Sequence, residues 1–233
     1  MKISIRYLCI LALIAAVASC KKDNYAQPKS VLSGHIVYQG EAIAVENNQV
    51  PFQLYQYGFG KVGPVSSTFA EDGSYSAILF DGDYKIIIPN GQGPFIWKQT
   101  SAGNPDTVNV TLKGDQIVDL DVTPYYMIRN PQIAAAGGSV TASFKAEQII
   151  TDGNAKNIEK VGIYINTQQF VSTTFNKAFT ELAAADITDP NNISISVVIP
   201  ALVPAQSTVF ARIGLKIAGV EDMIYSPLQQ ISF

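Results

Sequence analysis

The chain has 233 residues, of which 47% are hydrophobic and 15% are charged, which suits one large or two small globular domains. Its 19 acidic residues outnumber its 16 lysines and arginines, so the formal net charge is −3. Proteins bind nucleic acid through clustered lysine and arginine, and because the sequence has no such cluster we expect no nucleic-acid partner.

The first 20 residues are organised like a bacterial secretory signal. Lys2 and Arg6 form a short basic start, an apolar run over residues 8–17 follows, and small residues end the segment. The run is shorter than the roughly 20 residues that a membrane-spanning helix needs. The letters VASC at residues 17–20 match a lipobox, so we predict that residues 1–20 are a lipoprotein signal peptide and that Cys20 is lipidated. The alternative is ordinary signal cleavage beside an incidental cysteine.

Lipidation of Cys20 would decide two further features of the mature chain. Cys9 lies in the discarded segment, so the lipid would occupy the one remaining cysteine and no disulfide could form. Residues 21–29 are polar, and we predict that they form a short tether between the lipid and the first domain. A triacylated terminus carries more than one acyl chain and anchors stably, so the membrane is an expected partner.

Residues 30–123 predict a β-sandwich made of short strands with alternating apolar and polar side chains. The clearest signal lies in residues 72–89, where two alternating runs flank a turn at Asp81, Gly82 and Asp83. We predict that these two runs pair with each other as a hairpin. Other strands are predicted at residues 32–38 and 50–57, and a second strand pair at residues 106–112 and 116–122.

Residues 124–233 predict a second sandwich, of immunoglobulin or fibronectin type, after a break in the pattern near residue 123. In residues 209–217 apolar side chains alternate with Arg212 and Lys216, which we predict to face solvent. The Ala-rich segment 177–186 is the single predicted helix. Further strands are predicted at residues 139–148, 158–166, 193–199 and 224–233. The predicted fold is therefore all-β, with two antiparallel β-sandwich domains in tandem and at most one short helix in the second.

Four segments of the sequence carry a resemblance to a known family: VLSGHIVYQGEAI, QLYQYGFG, DGSYSAILFDGDYKIIIPNGQGPF and VTPYYMIRNP. Together they resemble a domain-of-unknown-function family of Bacteroidetes outer-membrane lipoproteins. The resemblance implies a prealbumin-like, carboxypeptidase-regulatory-like first domain and an immunoglobulin-like second domain. Members are often encoded beside glycan-import receptors, which implies an accessory role in polysaccharide uptake at the cell surface. Arginine is commoner in the family where this chain has His35, so the resemblance assigns that histidine no role.

The sequence offers little catalytic chemistry. His35 is the only histidine, no GxSxG motif is present, and a lipidated Cys20 could not act as a nucleophile. Residues 58–63, GFGKVG, match the dinucleotide motif GxGxxG, but an extended, β-branched segment follows them where the motif requires a helix. The Asp-Gly pairs at Asp72 and Asp81 are explained as turns, with calcium as the alternative. We therefore expect no catalytic residue, no metal and no cofactor.

Aromatic residues are the remaining candidates for ligand binding. Tyr55, Tyr57 and Phe59 recur at every second position, and Phe95 and Trp97 lie in a Gly-rich loop. Sugar rings stack on flat aromatic side chains, so these five residues predict a sugar-binding surface. The alternative is that this surface packs against the second domain near residues 125–127.

The predicted function is that of a non-enzymatic, lipid-anchored protein of the outer membrane, exposed at the cell surface. It would be an accessory glycan-binding or assembly component of a polysaccharide-uptake system, with polysaccharide and a glycan-import receptor of the outer membrane as partners. One alternative is a structural spacer or protein-interaction module that binds no sugar. A second is a glycoside hydrolase with paired carboxylates, for which Asp119 with Asp121 or Glu221 with Asp222 are the candidates.

Overall fold

The computed structural model describes residues 26–58 and 63–233. The predicted signal peptide, the lipidation site Cys20 and most of the tether lie outside the described residues. No helix in the described ranges is long and apolar enough to span a membrane. The described chain consists of strands and one 3₁₀ turn at Ala184–Asp186, which confirms the all-β prediction.

The strands of the first domain are β1 Ser30–Tyr38, β2 Glu41–Ala42, β3 Pro51–Gln56, β4 Pro64–Thr68, β5 Ser74–Leu79, β6 Gly82–Ile87, β7 Phe95–Ile96, β8 Gln99–Ser101, β9 Asn104–Pro105, β10 Val108–Leu112, β11 Gln116–Ile117, β12 Leu120–Asp121 and β13 Thr123–Pro124. Those of the second domain are β14 Tyr126–Ala136, β15 Ser139–Gln148, β16 Ile158–Asn166, β17 Ala178–Ala183, β18 Ile193–Val198, β19 Thr208–Ile217, β20 Met223–Tyr225 and β21 Gln229–Ser232.

Two main sheets form the first domain, and their inner faces share one core, while β7 with β13 and β8 with β9 form two further two-stranded sheets. In one sheet β1 pairs with β2, β5, β11 and β12, and the other sheet has the order β10-β6-β3-β4. Side chains alternate between buried and accessible positions along β1 and β3, as a sheet with one face on the core requires. Phe52 of one sheet and Tyr75 of the other are buried with their ring centroids 5.0 Å apart, so the sheets pack directly on each other.

The hairpin predicted for residues 72–89 is wrong in its pairing. Strands β5 and β6 lie where they were expected, but β5 pairs with β1 whereas β6 pairs with β3 and β10. The turn at Asp81 therefore carries the chain from one sheet to the other. The Asp81 carboxylate holds this corner, because it accepts hydrogen bonds from the Ser30 hydroxyl and from the backbone N–H of Gly114. Tyr75 of β5 and Tyr84 of β6 both point into the shared core, but from opposite sheets. Two strands that face one core from opposite sheets alternate apolar and polar residues in the same way as the two strands of a hairpin, so the sequence pattern does not distinguish the two arrangements.

The second predicted pair, residues 106–112 with 116–122, is also wrong. Strand β10 pairs with β6, and β11 and β12 instead pair with β1 in parallel. Two carboxylates beside these short strands replace ladder partners: Asp115, directly before β11, accepts the backbone N–H of Val31, and Asp119, between β11 and β12, accepts that of His35. The sheet around β1 is therefore mixed rather than purely antiparallel.

The second domain also consists of two sheets, with orders β14-β15-β18 and β17-β16-β19-β20, and β21 pairs with β19. The pairing of β14 with β15 shifts register between Arg129 and Gln132, where Asn130 has a positive φ of 50°. Most buried apolar residues of β15, β16, β18 and β19 belong to the same core cluster as those of the first domain, while Tyr164 of β16 packs in a smaller cluster that includes Ala44 of the first domain.

The helix predicted for residues 177–186 is not formed. Ala178–Ala183 is strand β17, paired antiparallel with β16, and only the last three residues of the segment make a 3₁₀ turn. Glu181 accepts hydrogen bonds from Lys160 and Tyr164 of β16. A ten-residue helix is marginal in water by itself, so pairing with β16 outweighs the helical propensity of the alanines.

Arg212, predicted to face solvent, is 1% exposed. Its guanidinium donates to the backbone oxygens of Val45 and Glu71 in the first domain, and lies 4.4 Å from the centre of the Tyr225 ring. The backbone N–H of Tyr225 donates to Ala44 across the same junction. At Arg212 the outer face of β19 is thus covered by loops of the first domain as well as by Tyr225, and polar contacts join the two domains directly.

Candidate functional site

A cleft of about 670 Å³ lies at the junction of the two domains. The first domain contributes residues 89–93, 95–99, 102 and 121–123, and the second contributes residues 125, 154, 156, 219 and 220. Its volume is in the range of ~300–1,000 Å³ that is usual for small-molecule sites. Since both domains line it, the cleft depends on the way they are packed together.

Two buried aromatic side chains form the apolar floor of the cleft. Phe95 is 4% exposed and Trp97 is 3% exposed, and the indole N–H of Trp97 donates to the backbone oxygen of Asp106 at 2.8 Å. Gly93 has a φ of +79°, and a Cβ atom there would lie 2.3 Å from the Phe95 ring. Only glycine fits this position, so the loop closes tightly over Phe95 and the floor is held in place before any ligand arrives.

A network of amides fixes one wall. The Asn90 side chain donates to the backbone oxygen of Gly103 at 2.6 Å and accepts from the Gln99 amide at 2.8 Å, while Gln99 accepts the N–H of Gly103. These bonds tie the loop after β6 to the β8–β9 hairpin. The amides of Gln92 and Asn154 also line the cleft, and neither makes a side-chain hydrogen bond within residues 26–58 and 63–233.

Three charged side chains line the cleft. Lys98 and Asp121 form an exposed ion pair with a nitrogen–oxygen distance of 3.8 Å. The ammonium of Lys156 donates to the backbone oxygen of Gly219 at 2.9 Å and lies 5.6 Å from the centre of the Tyr125 ring. In the described part of the chain Lys156 has no carboxylate within 4.0 Å. Among the described residues, no carboxylate therefore pairs with the Lys156 ammonium.

Asp222 of the second domain supports the cleft loop from behind, since its carboxylate accepts the N–H of Gly93 at 2.8 Å. Burial raises the pKa of Asp222, and this effect exceeds the opposite effect of the hydrogen bond from Gly93. The loop is therefore attached to the second domain through a carboxylate that is costly to ionise in the folded state.

We expect Asp222→Asn to become more stable, relative to the unchanged protein, as the pH rises from about 4 to about 7. With a raised pKa in the folded state, Asp222 contributes stability below the unfolded value of about 3.9, and this is lost as the pH rises through the folded value. Asparagine has no such ionisation. Urea unfolding at several pH values measures the difference between the two proteins, and a difference that stays constant or falls with pH would contradict the expectation.

Of the four predicted aromatic residues that the structure describes, two lie together. Phe95 and Trp97 line the cleft, although as its buried floor and not as the exposed rings that the sequence suggested. Tyr55 is half-buried and Tyr57 is exposed with the Lys85 ammonium over its ring, and neither lines the cleft. Phe59 lies outside the described residues. Tyr55 and Phe95 belong to different sheets, which sequence spacing could not reveal.

Turn and strand contacts account for the remaining motifs. Asp72 accepts the N–H of Ser74, Asp83 accepts the Thr111 hydroxyl, and the histidine Nδ1 of His35 lies 3.9 Å from Asp119. No group of three or more histidine, cysteine, aspartate or glutamate side chains in the described ranges could hold a metal ion. Most of the glycine motif at residues 58–63 lies outside those ranges, and strand β4 begins directly after it, as expected.

The residues that sequence reasoning missed are the polar ones. Gln92, Asn154 and Lys156 lie in loops, where no periodicity distinguishes a ligand-binding side chain from a solvated one. Among the four carboxylates considered for glycoside hydrolysis, Asp121 alone lines the cleft, and it is paired with Lys98.

Two family models match consecutive parts of the chain: "Protein of unknown function (DUF3823) N-terminal domain" matches residues 30–123, and "Domain of unknown function (DUF3823_C)" matches residues 126–230. A solved DUF3823 family protein from Parabacteroides merdae ATCC 43184 is 32% identical with a TM-score of 0.77, and the match covers 89% of this chain and 100% of that one. Another, from Bacteroides ovatus ATCC 8483, is 30% identical with a TM-score of 0.77, covering 88% and 99%.

A further solved structure, from Bacteroides uniformis ATCC 8492, is described as a "putative carbohydrate binding protein". It is 17% identical with a TM-score of 0.67, covering 89% of this chain and 100% of that one, and it shows a shared fold. No curated protein matches the chain.

Proposed function

We propose that this chain, which belongs to the DUF3823 family, is a non-enzymatic lipoprotein that binds saccharide in the cleft between its two domains. Lipid on Cys20 would anchor it in the outer membrane, where it would act at the cell surface as an accessory component of polysaccharide uptake. The observation that carries the proposal is a preformed cleft with an apolar floor and a wall of side-chain amides.

The chemistry of the cleft suits a saccharide. A sugar ring has apolar C–H faces and a rim of hydroxyls, and each hydroxyl both donates and accepts hydrogen bonds. Val122 and Val220 extend the apolar floor of the cleft, while Gln92 and Asn154 offer amides, which likewise both donate and accept. The fold shared with the carbohydrate-binding candidate from Bacteroides uniformis supports the same proposal.

The arrangement of carboxylates favours binding over hydrolysis. Glycosidases place two carboxyl groups on either side of the scissile bond, ~5–9.5 Å apart. In the described part of the chain Asp121 is the single carboxylate that lines the cleft, and the Lys98 ammonium lies 3.8 Å from it. We therefore assign the cleft a binding role.

A glycan array probed with the detergent-purified protein tests the proposal. We expect binding to at least one polysaccharide, and we expect Gln92→Ala together with Asn154→Ala to weaken it about tenfold, since each lost neutral hydrogen bond costs ~0.5–1.5 kcal/mol. Tyr57→Ala is the matched control, because Tyr57 is exposed but lies outside the cleft. Loss of binding in the control and not in the double variant would move the site to the β3 surface. No binding across a broad panel would contradict the proposal.

A second candidate function is protein interaction within an uptake assembly. Phe170 is 52% exposed and Phe175 is 59% exposed, and both line a small pocket of about 170 Å³ that also includes Glu46 and Glu71. Large exposed aromatic side chains are typical of protein contacts. This candidate predicts that a glycan-import receptor co-purifies with the protein, that Phe175→Ser abolishes the co-purification, and that no glycan binds.

A further inference from the structure

The ammonium of Lys156 has hydrogen-bonding capacity that the described residues do not use. A lysine ammonium has three donors, and one of them goes to the backbone oxygen of Gly219. Its other close partner is the Tyr125 ring, a neutral group that attracts the charge without accepting a conventional hydrogen bond. These two contacts fix the position of the ammonium, and donors remain available on the side of the cleft.

The charge of the cleft differs in sign from that of the whole protein. The chain carries a net charge of −3, yet the charged groups that line the cleft are Lys98, Lys156 and Asp121. The charges of Lys98 and Asp121, whose side chains lie 3.8 Å apart, cancel, so these three groups leave a net charge of about +1 from Lys156. A local positive charge beside an apolar floor attracts an anion more strongly than the same charge in open solvent.

We propose that the ligand of the cleft is an acidic saccharide, and that Lys156 binds the carboxylate of a hexuronate residue. This inference rests on the proposed function, because it assumes that the cleft binds a saccharide. Asn154, two residues before Lys156, also lines the cleft, and its amide would bind hydroxyls of the saccharide. A hydrogen bond between ammonium and carboxylate is about twice as strong as a neutral one, so the charged group sets the preference.

The test compares oligogalacturonate with its fully methyl-esterified form, which has the same sugar backbone but carries an uncharged methyl ester in place of each carboxylate. Titration calorimetry with the detergent-purified protein measures both affinities. We expect the acid to bind at least tenfold more tightly than the ester, and we expect Lys156→Met to remove that difference. Lys156→Arg should retain most of it, since arginine keeps the charge. Lys177→Met is the matched control: Lys177 is exposed in the same domain but does not line the cleft.

Equal affinity for acid and ester overturns the inference. It is also overturned if Lys156→Met and Lys177→Met lose the same amount of affinity for oligogalacturonate, because that would indicate non-specific attraction to positive charge. Binding of a sulfated oligosaccharide but not of oligogalacturonate also overturns it. If the ester binds as well as the acid and still depends on Gln92 and Asn154, the inference fails while the proposed function stands. If no saccharide binds at all, both fail.

Discussion

Replacing Arg212 with methionine is expected to lower the free energy of unfolding by about 3–5 kcal/mol. The guanidinium is buried and donates to four backbone oxygens, two in each domain. Methionine fills a similar length but donates nothing, so the backbone oxygens of Val45 and Glu71 would remain buried without these donors. The two domains would be held less firmly, and the cleft between them would lose its shape.

Chemical denaturation measures the loss of stability, and two further variants separate its causes. Four backbone oxygens accept hydrogen bonds from Arg212 at 3.0–3.4 Å, whereas the Glu71 carboxylate lies 3.5 Å away, so the backbone oxygens are the main partners of Arg212. Burial raises the pKa of Glu71 and lowers that of Arg212, so the ion pair does not offset the cost of burying the two charges. Arg212→Lys should therefore still lose most of the stability, because lysine cannot span these oxygens. Adding Glu71→Gln to Arg212→Met should recover part of it. A loss below about 1 kcal/mol for Arg212→Met would contradict this interpretation.

Replacing Gly73 with alanine is expected to destabilise the first domain by about 3 kcal/mol or more. Gly73 has a φ of +80°, and a Cβ atom there would lie 2.1 Å from the backbone oxygen of Ile43. The left-handed conformation alone costs an L-residue about 1–2 kcal/mol. The clash adds to this, because the backbone oxygen of Gly73 accepts the N–H of Ile36 in β1 and the turn cannot move without breaking that bond.

Gly114→Ala is the matched control. Gly114 also has a positive φ, of 68°, but a Cβ atom there would meet nothing within 4 Å. The free energy of unfolding of the control should therefore fall only by the cost of the left-handed conformation, about 1–2 kcal/mol. Thermal or urea unfolding of both variants gives the comparison. Equal losses would show that the close approach to Ile43 has no energetic consequence.

Strand positions were largely predictable, because alternation of apolar and polar side chains is a local property of the sequence. Strands β1, β3, β15, β16 and β19 lie within a few residues of their predicted bounds. Their partners were not predictable in the same way. An Asp-Gly turn between two alternating runs is equally compatible with a hairpin and with a corner between two packed sheets, and the second arrangement occurs at Asp81.

Of the residues that line the candidate site, the sequence predicted only the two aromatic side chains of its floor. Trp97 and Phe95 stood out as aromatic residues in a glycine-rich loop, but their burial follows from packing that the loop sequence does not encode. Lys156 comes from a different domain, and nothing in its local sequence distinguishes it from an ordinary solvated lysine. A site assembled between domains cannot be read from either domain alone.

The sequence by itself determined the all-β class, the positions of most strands and the family, since these depend on local patterns and on motifs within single segments. The tertiary structure alone decided which strands pair, which side of β19 is buried and which loops meet at the cleft. Arg212 illustrates the physical reason: alternation sets which way a side chain points from its sheet, but only the placement of the other domain decides whether that direction leads to water or into a contact.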